Sequence, residues 1–192
     1  MKKLVDSRGI ETTVYEPAED SHLLATAAQP HVSSSDLVLD VGTGSGYVAA
    51  TLAATTGARV VGVDVNPHAC ARAYAAGVQV IRGDLVSAFR DDQFDVVCCN
   101  PPYLPTEPEA EWDDWMELAL SGGPTGRRVV EPFLDDVGRV LASDGCVLLL
   151  ASSLMDVDRV VDRAASNGFD VGRLVEESYP FETLTVVKLV PW

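Results

Sequence analysis

The stretch "LDVGTGSGY", Leu39 to Tyr47, passes from an apolar run through glycines at every second position, Gly42, Gly44 and Gly46, into a helical pattern. A strand that ends in such a turn and opens a helix is the start of a βαβ unit, because glycine permits the tight turn and a close approach of backbone to ligand. The flanking segments repeat the unit. "DLVLDV" (36–41), "RVVGVD" (59–64), "VQVIR" (78–82), "FDVVCC" (94–99) and "CVLLLAS" (146–152) are short and apolar on both faces, as parallel strands covered by helices are. Helical patterns lie between them over 46–54, 67–76 and 127–142, with one more in "MDVDRVVDRAASNGF" ended at Asn167-Gly168. "VGRLVEESY" and "ETLTVVKLV" alternate apolar and polar residues and read as a closing antiparallel pair. A leading helix over 18–29 precedes the first strand. The expectation is an open, doubly wound α/β sheet with right-handed crossovers, in a single domain over residues 1–192 with a short N-terminal helical lead-in.

Composition narrows the classes. Hydrophobic residues make up 47 % of the 192-residue chain, a globular value. No apolar run approaches the roughly 18 residues of a membrane span, and no apolar signal core follows Lys2 and Lys3, so the chain is read as soluble and cytoplasmic. Cys70, Cys98, Cys99 and Cys146 form no Cys-x-x-Cys pair and read as small buried hydrophobes, with adjacent Cys98 and Cys99 on opposite strand faces. His22, His31 and His68 have no ligand spacing, so no metal site is expected. The formal net charge is −15, and lysine occurs only at Lys2, Lys3 and Lys188. Such an acidic, lysine-poor surface points to a halophilic setting, where salt screens the repulsion. It also argues against duplex DNA as partner, since phosphate neutralisation needs Lys and Arg clusters.

The residues around the glycine turn indicate a nucleoside cofactor. Asp64 ends the second strand, where a carboxylate accepts both hydroxyls of a ribose. Dinucleotides share this fold, but with a G-x-G-x-x-G turn. Here the turn is Gly-x-Gly-x-Gly led by Asp40, an acid able to bind an ammonium group, which dinucleotides lack and methionine has. Asp84 in "RGDL" follows the third strand and is placed to accept from an adenine amine, with Leu85 packing on the purine. Asp84 also suits the N-cap of a helix over "LVSAF". Thr43 and Val65 complete the candidate cofactor residues.

The fourth strand stops at Asn100-Pro101-Pro102-Tyr103, at the ligand edge of the sheet. A planar amide or amine nitrogen is a poor nucleophile because its lone pair is delocalised. To attack a sulfonium methyl it must have both N–H groups engaged and its lone pair aimed. The Asn100 side-chain oxygen and the Pro101 carbonyl are two such acceptors. Successive prolines fix φ and so the direction of that carbonyl. Tyr103 is suited to lie against the flat face of the target. Catalysis would then be positioning plus preorganised acceptors, without a strong general base.

Taken together, "LDVGTGSG", "VDVNP" (63–67), "GDL", "NPPYLPT", "SGGPTGR" (121–127) and above all "VYEPAEDS" (14–21) resemble the HemK-like glutamine methyltransferases, in the archaeal and eukaryotic branch that acts on class I translation termination factors. By residues alone, "EPAEDS" is a helix N-terminus with Pro in the first turn and acids favourable to the dipole. The resemblance implies a class I methyltransferase fold with a seven-stranded sheet of order 3-2-1-4-5-7-6. It implies S-adenosyl-L-methionine as cofactor and S-adenosyl-L-homocysteine as product. It places Tyr15, Pro17 and Ser21 over the cofactor, with Ser21 near the methionine end, and Asn100 beside it. The implied reaction is N-methylation of the glutamine side-chain amide in the Gly-Gly-Gln motif of the peptide chain release factor. Some members of this branch also modify protein lysine.

Bacterial relatives carry an N-terminal helical domain that grips the release factor. Only about forty residues precede the glycine turn here, so that domain is expected to be absent. The archaeal and eukaryotic branch instead implies a heterodimer with a small zinc-binding activator. The third strand is the expected sheet edge, and Val78, Val80 and Ile81 lie on it without guarding Pro or Lys, which invites strand addition. An ordinary short edge strand has the same pattern. The segment 106–126 contains Trp112, Trp115 and Met116, and reads either as a substrate-side lid or as a helix packed on its own domain. Two rival functions remain: a small RNA adenine amino-methyltransferase, whose target nitrogen poses the same lone-pair problem, and a non-catalytic cofactor-binding scaffold, which would have no use for Asn100 and Tyr103.

Overall fold

The computed structural model describes residues 13–107, 109 and 114–192. The apolar runs form strands β1 (Leu37–Val41), β2 (Arg59–Asp64), β3 (Gln79–Arg82), β4 (Phe94–Cys99), β5 (Leu141–Ser152), β6 (Phe169–Ser178) and β7 (Thr183–Pro191). They make one sheet in the order β3-β2-β1-β4-β5-β7-β6, as expected. The first five strands pair parallel, and β7 runs antiparallel between β5 and β6. The helices are α1 (Glu19–Ala28), α2 (Tyr47–Thr56), α3 (Pro67–Ala75), α4 (Trp115–Leu120), α5 (Val130–Val140) and α6 (Val157–Ser166).

Alternate strand residues feed two cores, one on each face. Leu39, Val97, Cys99, Val147 and Leu149 pack with Phe133, Leu134 and Val137 of α5 and Val160 of α6. Val38, Val96, Cys98, Leu148 and Leu150 pack with Leu23 and Leu24 of α1 and Val48 and Leu52 of α2. Cys98 and Cys99 thus enter opposite cores as the period of two requires. Leu148 is fully buried, so Leu148→Ala is expected to cost about 2–5 kcal/mol of stability, measured by urea unfolding.

Several boundaries differ from expectation. Helix α5 ends at Val140 and β5 begins at once, so Leu141 pairs with Phe94. The ladder then shifts around Ala142–Gly145 and resumes at Cys146 opposite Val96. "SDG" therefore forms an irregularity inside a strand where the sequence suggested a connection before one. The "LVSAF" segment is a series of turns, not a helix, and Asp84 caps nothing with its side chain; Leu85 has φ +47°. Val78 precedes β3 and is buried with Ala49 and Ala73, leaving only Val80 and Ile81 on the edge strand. Trp112 lies outside the described residues. Among the described residues, no helix is long and apolar enough to cross a membrane.

Candidate active site

A cavity of about 610 Å³ opens at the C-terminal ends of β1, β2 and β4. Its size suits a small organic ligand. Most candidate residues meet there: Tyr15, Pro17, Ser21, Asp40, Gly42, Thr43, Gly44, Asp64, Val65, Asp84, Leu85, Asn100, Pro101, Pro102 and Tyr103 all line it. Gly46 does not. A Cβ on Gly46 would lie 3.0 Å from Ala73 and 3.2 Å from Val78, so this glycine lets α3 and the approach to β3 pack against the turn. The first two glycines differ: Gly42 and Gly44 have φ +69° and +55°, and a Cβ there would meet nothing closer than 3.8 Å. A side chain would stand where a ligand passes.

Asp40 and Asp64 are held in contrasting ways. Asp40 is 3 % exposed and accepts a 2.7 Å hydrogen bond from Thr43 Oγ1. Burial pushes its carboxyl up to about 7, against the pull of the Thr43 hydroxyl and the Ala49 backbone N–H. Asp64 accepts from Gly44 N at 2.9 Å on Oδ2 and from Asn66 N at 2.8 Å on Oδ1. Burial raises its pKa, and the N–H groups of Asn66, Gly44 and Val65 act against that rise. Two backbone donors fix the Asp64 carboxylate, and each of its oxygens keeps acceptor capacity. Asp84 is exposed at the rim.

Val14, Tyr15 and Pro17 line the cavity, and their neighbours are tied to α3 and its N-cap. Asn66 Nδ2 donates to Thr13 O at 2.8 Å, and Arg72 makes two 2.6 Å bonds to Glu16. Asp20 is 4 % exposed and accepts from Ser21 N, Ser21 Oγ and Tyr15 Oη at 2.5, 3.2 and 3.3 Å. Burial, then the Asp20 charge, pushes the phenols of Tyr15 and Tyr103 far above their usual value, so both stay protonated.

Beyond β4, Asn100 Oδ1 is buried and has no hydrogen-bond partner, alone in this among the buried side-chain N and O atoms of the described residues. Buried acceptors are nearly always paired, and an exception calls for an explanation. The backbone just after the Asn-Pro-Pro-Tyr loop is held by the 120–123 stretch: Leu104 N donates to Leu120 O, Gly122 N to Leu104 O and Thr106 N to Gly123 O, at 2.9–3.0 Å. Arg127 Nη1 donates to Met155 O at 2.7 Å, so this arginine braces the loop. Trp115, Leu118, Ala119 and Leu120 of α4 form part of the cavity wall, with Trp115 edge-on to His68 at 6.3 Å. Helix α4 thus forms a wall of the site, with none of its residues fully buried.

Two polar cavity residues, Asn66 and Glu182, had no assigned role in the sequence reading. Asn66 was visible only within "VDVNP". Glu182, at the β6–β7 turn, has no local motif at all.

The chain is similar to several known proteins. A family described as a methyltransferase domain matches residues 38–121. A putative protein N5-glutamine methyltransferase of Methanocaldococcus jannaschii is 33 % identical over 91 % of this chain and 90 % of its own length. The human methyltransferase HEMK2 is 30 % identical over 94 % of this chain and 91 % of its own. The chain belongs to the HemK-like N5-glutamine methyltransferase family. Among solved structures, the E. cuniculi Mtq2–Trm112 complex, described as responsible for methylation of the eRF1 translation termination factor, contains a chain with 28 % identity and a TM-score of 0.76. The match covers 94 % of this chain and 100 % of that one. The HemK-like chain is therefore an enzyme that takes its methyl group from S-adenosyl-L-methionine. Its residues fit that donor: an open glycine cradle, a carboxylate fixed by two backbone donors, a buried acid with a raised pKa, and an orphaned amide oxygen.

Proposed function

We propose that the chain methylates the side-chain amide nitrogen of a glutamine, in the Gly-Gly-Gln motif of the archaeal and eukaryotic type of peptide chain release factor. The observation that carries this reading is the unpartnered Asn100 Oδ1 at the cavity. A primary amide supplies the missing N–H donor, and the Pro101 carbonyl is the candidate acceptor for its second hydrogen. The names of the relatives and the release-factor title of the structural neighbour point the same way. Bound S-adenosyl-L-methionine supplies an electrophilic methyl on a sulfonium. Asp64 would hold its ribose, Asp84 and Leu85 its adenine, and Asp40 its ammonium, with Tyr15, Pro17 and Ser21 covering it. Asn100 and Pro101 hold the amide; Tyr103 supports its flat face. Transfer of labelled methyl to intact release factor, a Gln→Ala release factor and total RNA tests the reading. Label only in the intact factor is expected; label in RNA alone contradicts it.

Asp40 makes cofactor affinity depend on pH. Its carboxyl must ionise to pair with an ammonium, and burial places its titration at about 7. Below that pH the protonated form predominates, so Kd should rise toward about tenfold per pH unit. Isothermal titration between pH 5.5 and 8.5 should show this rise and proton release on binding; Asp40→Asn should flatten the profile. The same raised pKa makes the free protein lose stability as pH climbs from the ordinary carboxylate range toward about 7, because the native state binds the extra proton.

The reading includes a small zinc-binding activator docked on β3. Among the described residues this strand pairs only with β2, and Ile81 on it is 41 % exposed. An unpaired strand edge accepts another strand, and the structural neighbour is itself a two-protein complex. Co-expressed with the activator and passed over gel filtration, the two should elute together; separate elution contradicts the docking.

A further inference from the structure

Gly62 lies inside β2, where a glycine weakens the strand and marks a close approach to its backbone. Its φ is not left-handed, so the turn geometry that accounts for Gly42 and Gly44 does not account for it. Thr43 occupies its space. A Cβ on Gly62 would lie 2.8 Å from Thr43 Cγ2 and Oγ1 and 2.9 Å from Thr43 Cβ, closer than packed atoms come. Gly62 is also the cross-strand partner of Asp40 on β1. The glycine turn thus folds Thr43 back over Gly62, beside Asp40. Backbone bonds fix it there: Thr43 N donates to Val63 O at 3.0 Å, and Gly46 N to Thr43 O at 2.8 Å. Thr43 is 6 % exposed, and its one hydroxyl hydrogen goes to Asp40 Oδ2 at 2.7 Å.

We infer that Thr43 is a positioning residue: seated on Gly62, it turns the Asp40 carboxylate so that Oδ2 is bonded within the protein and Oδ1 faces the ligand. Thr43 acts through Asp40, not on the methyl donor itself. This deepens the reading of Asp40 above and rests on it for the ammonium as the group received. A hydrogen bond to a carboxylate favours its charged form, whereas burial opposes it. The titratable groups around Asp40 are Asp64 at the end of β2, Cys98 opposite it on β4, and Cys99. Burial pushes both thiols upward, so they stay neutral, and the Asp64 charge adds to the cost of ionising Asp40. The Thr43 hydroxyl supplies the side-chain bond that opposes both effects.

The test uses the full chain and reads Asp40 directly, by NMR of protein labelled with 13C at the aspartate γ carbon. Thr43→Val keeps the side-chain shape, removes the hydroxyl, and should move the Asp40 titration to higher pH. Thr43→Ser restores the hydroxyl and should bring it back. Gly62→Ala, whose methyl displaces Thr43, should reproduce the shift of Thr43→Val; no shift there overturns the seating on Gly62. An Asp40 titration unmoved in Thr43→Val, or not restored in Thr43→Ser, overturns the inference whether or not release factor is the substrate. Calorimetry gives the second readout. Near pH 7, S-adenosyl-L-homocysteine should bind Thr43→Val about tenfold more weakly than wild type, the scale for losing a hydrogen bond to a charged group. The gap should narrow at about pH 9, where Asp40 is ionised in both. An analogue lacking the α-amino group should bind the two proteins within about twofold of each other. Equal losses for both ligands make Thr43 a packing residue only and overturn the inference. Wild type that binds the two ligands equally contradicts the ammonium role of Asp40, and the carboxyl titration then decides the hold of Thr43 by itself.

Discussion

Asn100→Ala is expected to reduce turnover by about 10²- to 10³-fold, the scale for loss of one preorganised hydrogen-bonding group at a reacting centre, with cofactor Kd within about twofold of wild type. The effect on folding should be small and of the opposite sign to that of most buried polar deletions. Removing a buried, hydrogen-bonded group usually strands its partner and costs stability. Asn100 Oδ1 has no partner to strand, so its loss removes a desolvated acceptor that nothing in the protein satisfies. Thermal unfolding should therefore show an unchanged or slightly raised Tm alongside the collapse in rate. A variant that turns over within a few-fold of wild type contradicts the assignment. So does one that loses rate only in proportion to lost folded protein.

Gly126→Ala should be strongly damaging to the scaffold around the site. Gly126 has φ +72°, and a Cβ there would lie 2.6 Å from the Tyr103 carbonyl oxygen and 3.1 Å from Met155. Neither neighbour is the free end of a flexible side chain, so the added methyl must push the backbone that carries Tyr103. Left-handed strain costs about 1–3 kcal/mol, and forced overpacking about 1–3 kcal/mol more. The control is Gly168→Ala, with φ +88° but nothing within 4 Å of the added methyl, which isolates the backbone term. Urea unfolding should show Gly126→Ala destabilised well beyond Gly168→Ala. At a temperature where both are folded, only Gly126→Ala should have lost kcat. Equal destabilisation and equal rates would remove the close approach of this loop to Tyr103 from the account.

The strands were legible because their signals are local and redundant, whereas their order in the sheet came from the family resemblance. Parallel strands buried on both faces read as short apolar runs, and the glycine turn at Gly42 and Gly44 marks where the chain leaves β1. The Asn-Pro-Pro-Tyr loop was legible for a similar reason: two prolines after an apolar run have few structural uses. What failed depends on contacts between distant segments. Gly46 belongs to the same visible motif as Gly42, yet its neighbours are Ala73 and Val78, and nothing in the turn itself announces them. Val78 matches the edge-strand pattern, but the chain buries it one residue before pairing begins. "LVSAF" has the composition of a helix start, but Leu85 takes a positive φ beside the cavity instead. Glu182 reaches the site only because β7 inserts antiparallel between β5 and β6, carrying the turn before it up beside Ser152.

The central claim is that one planar nitrogen is held by two oxygens. A crystal structure of the chain with S-adenosyl-L-homocysteine and a glutamine-containing release-factor peptide tests it most directly. The account predicts the glutamine amide nitrogen within about 3 Å of both Asn100 Oδ1 and Pro101 O, with its remaining face toward the sulfur. An amide bound elsewhere in the cavity, with Asn100 Oδ1 still unpartnered or turned toward the cofactor, would contradict it.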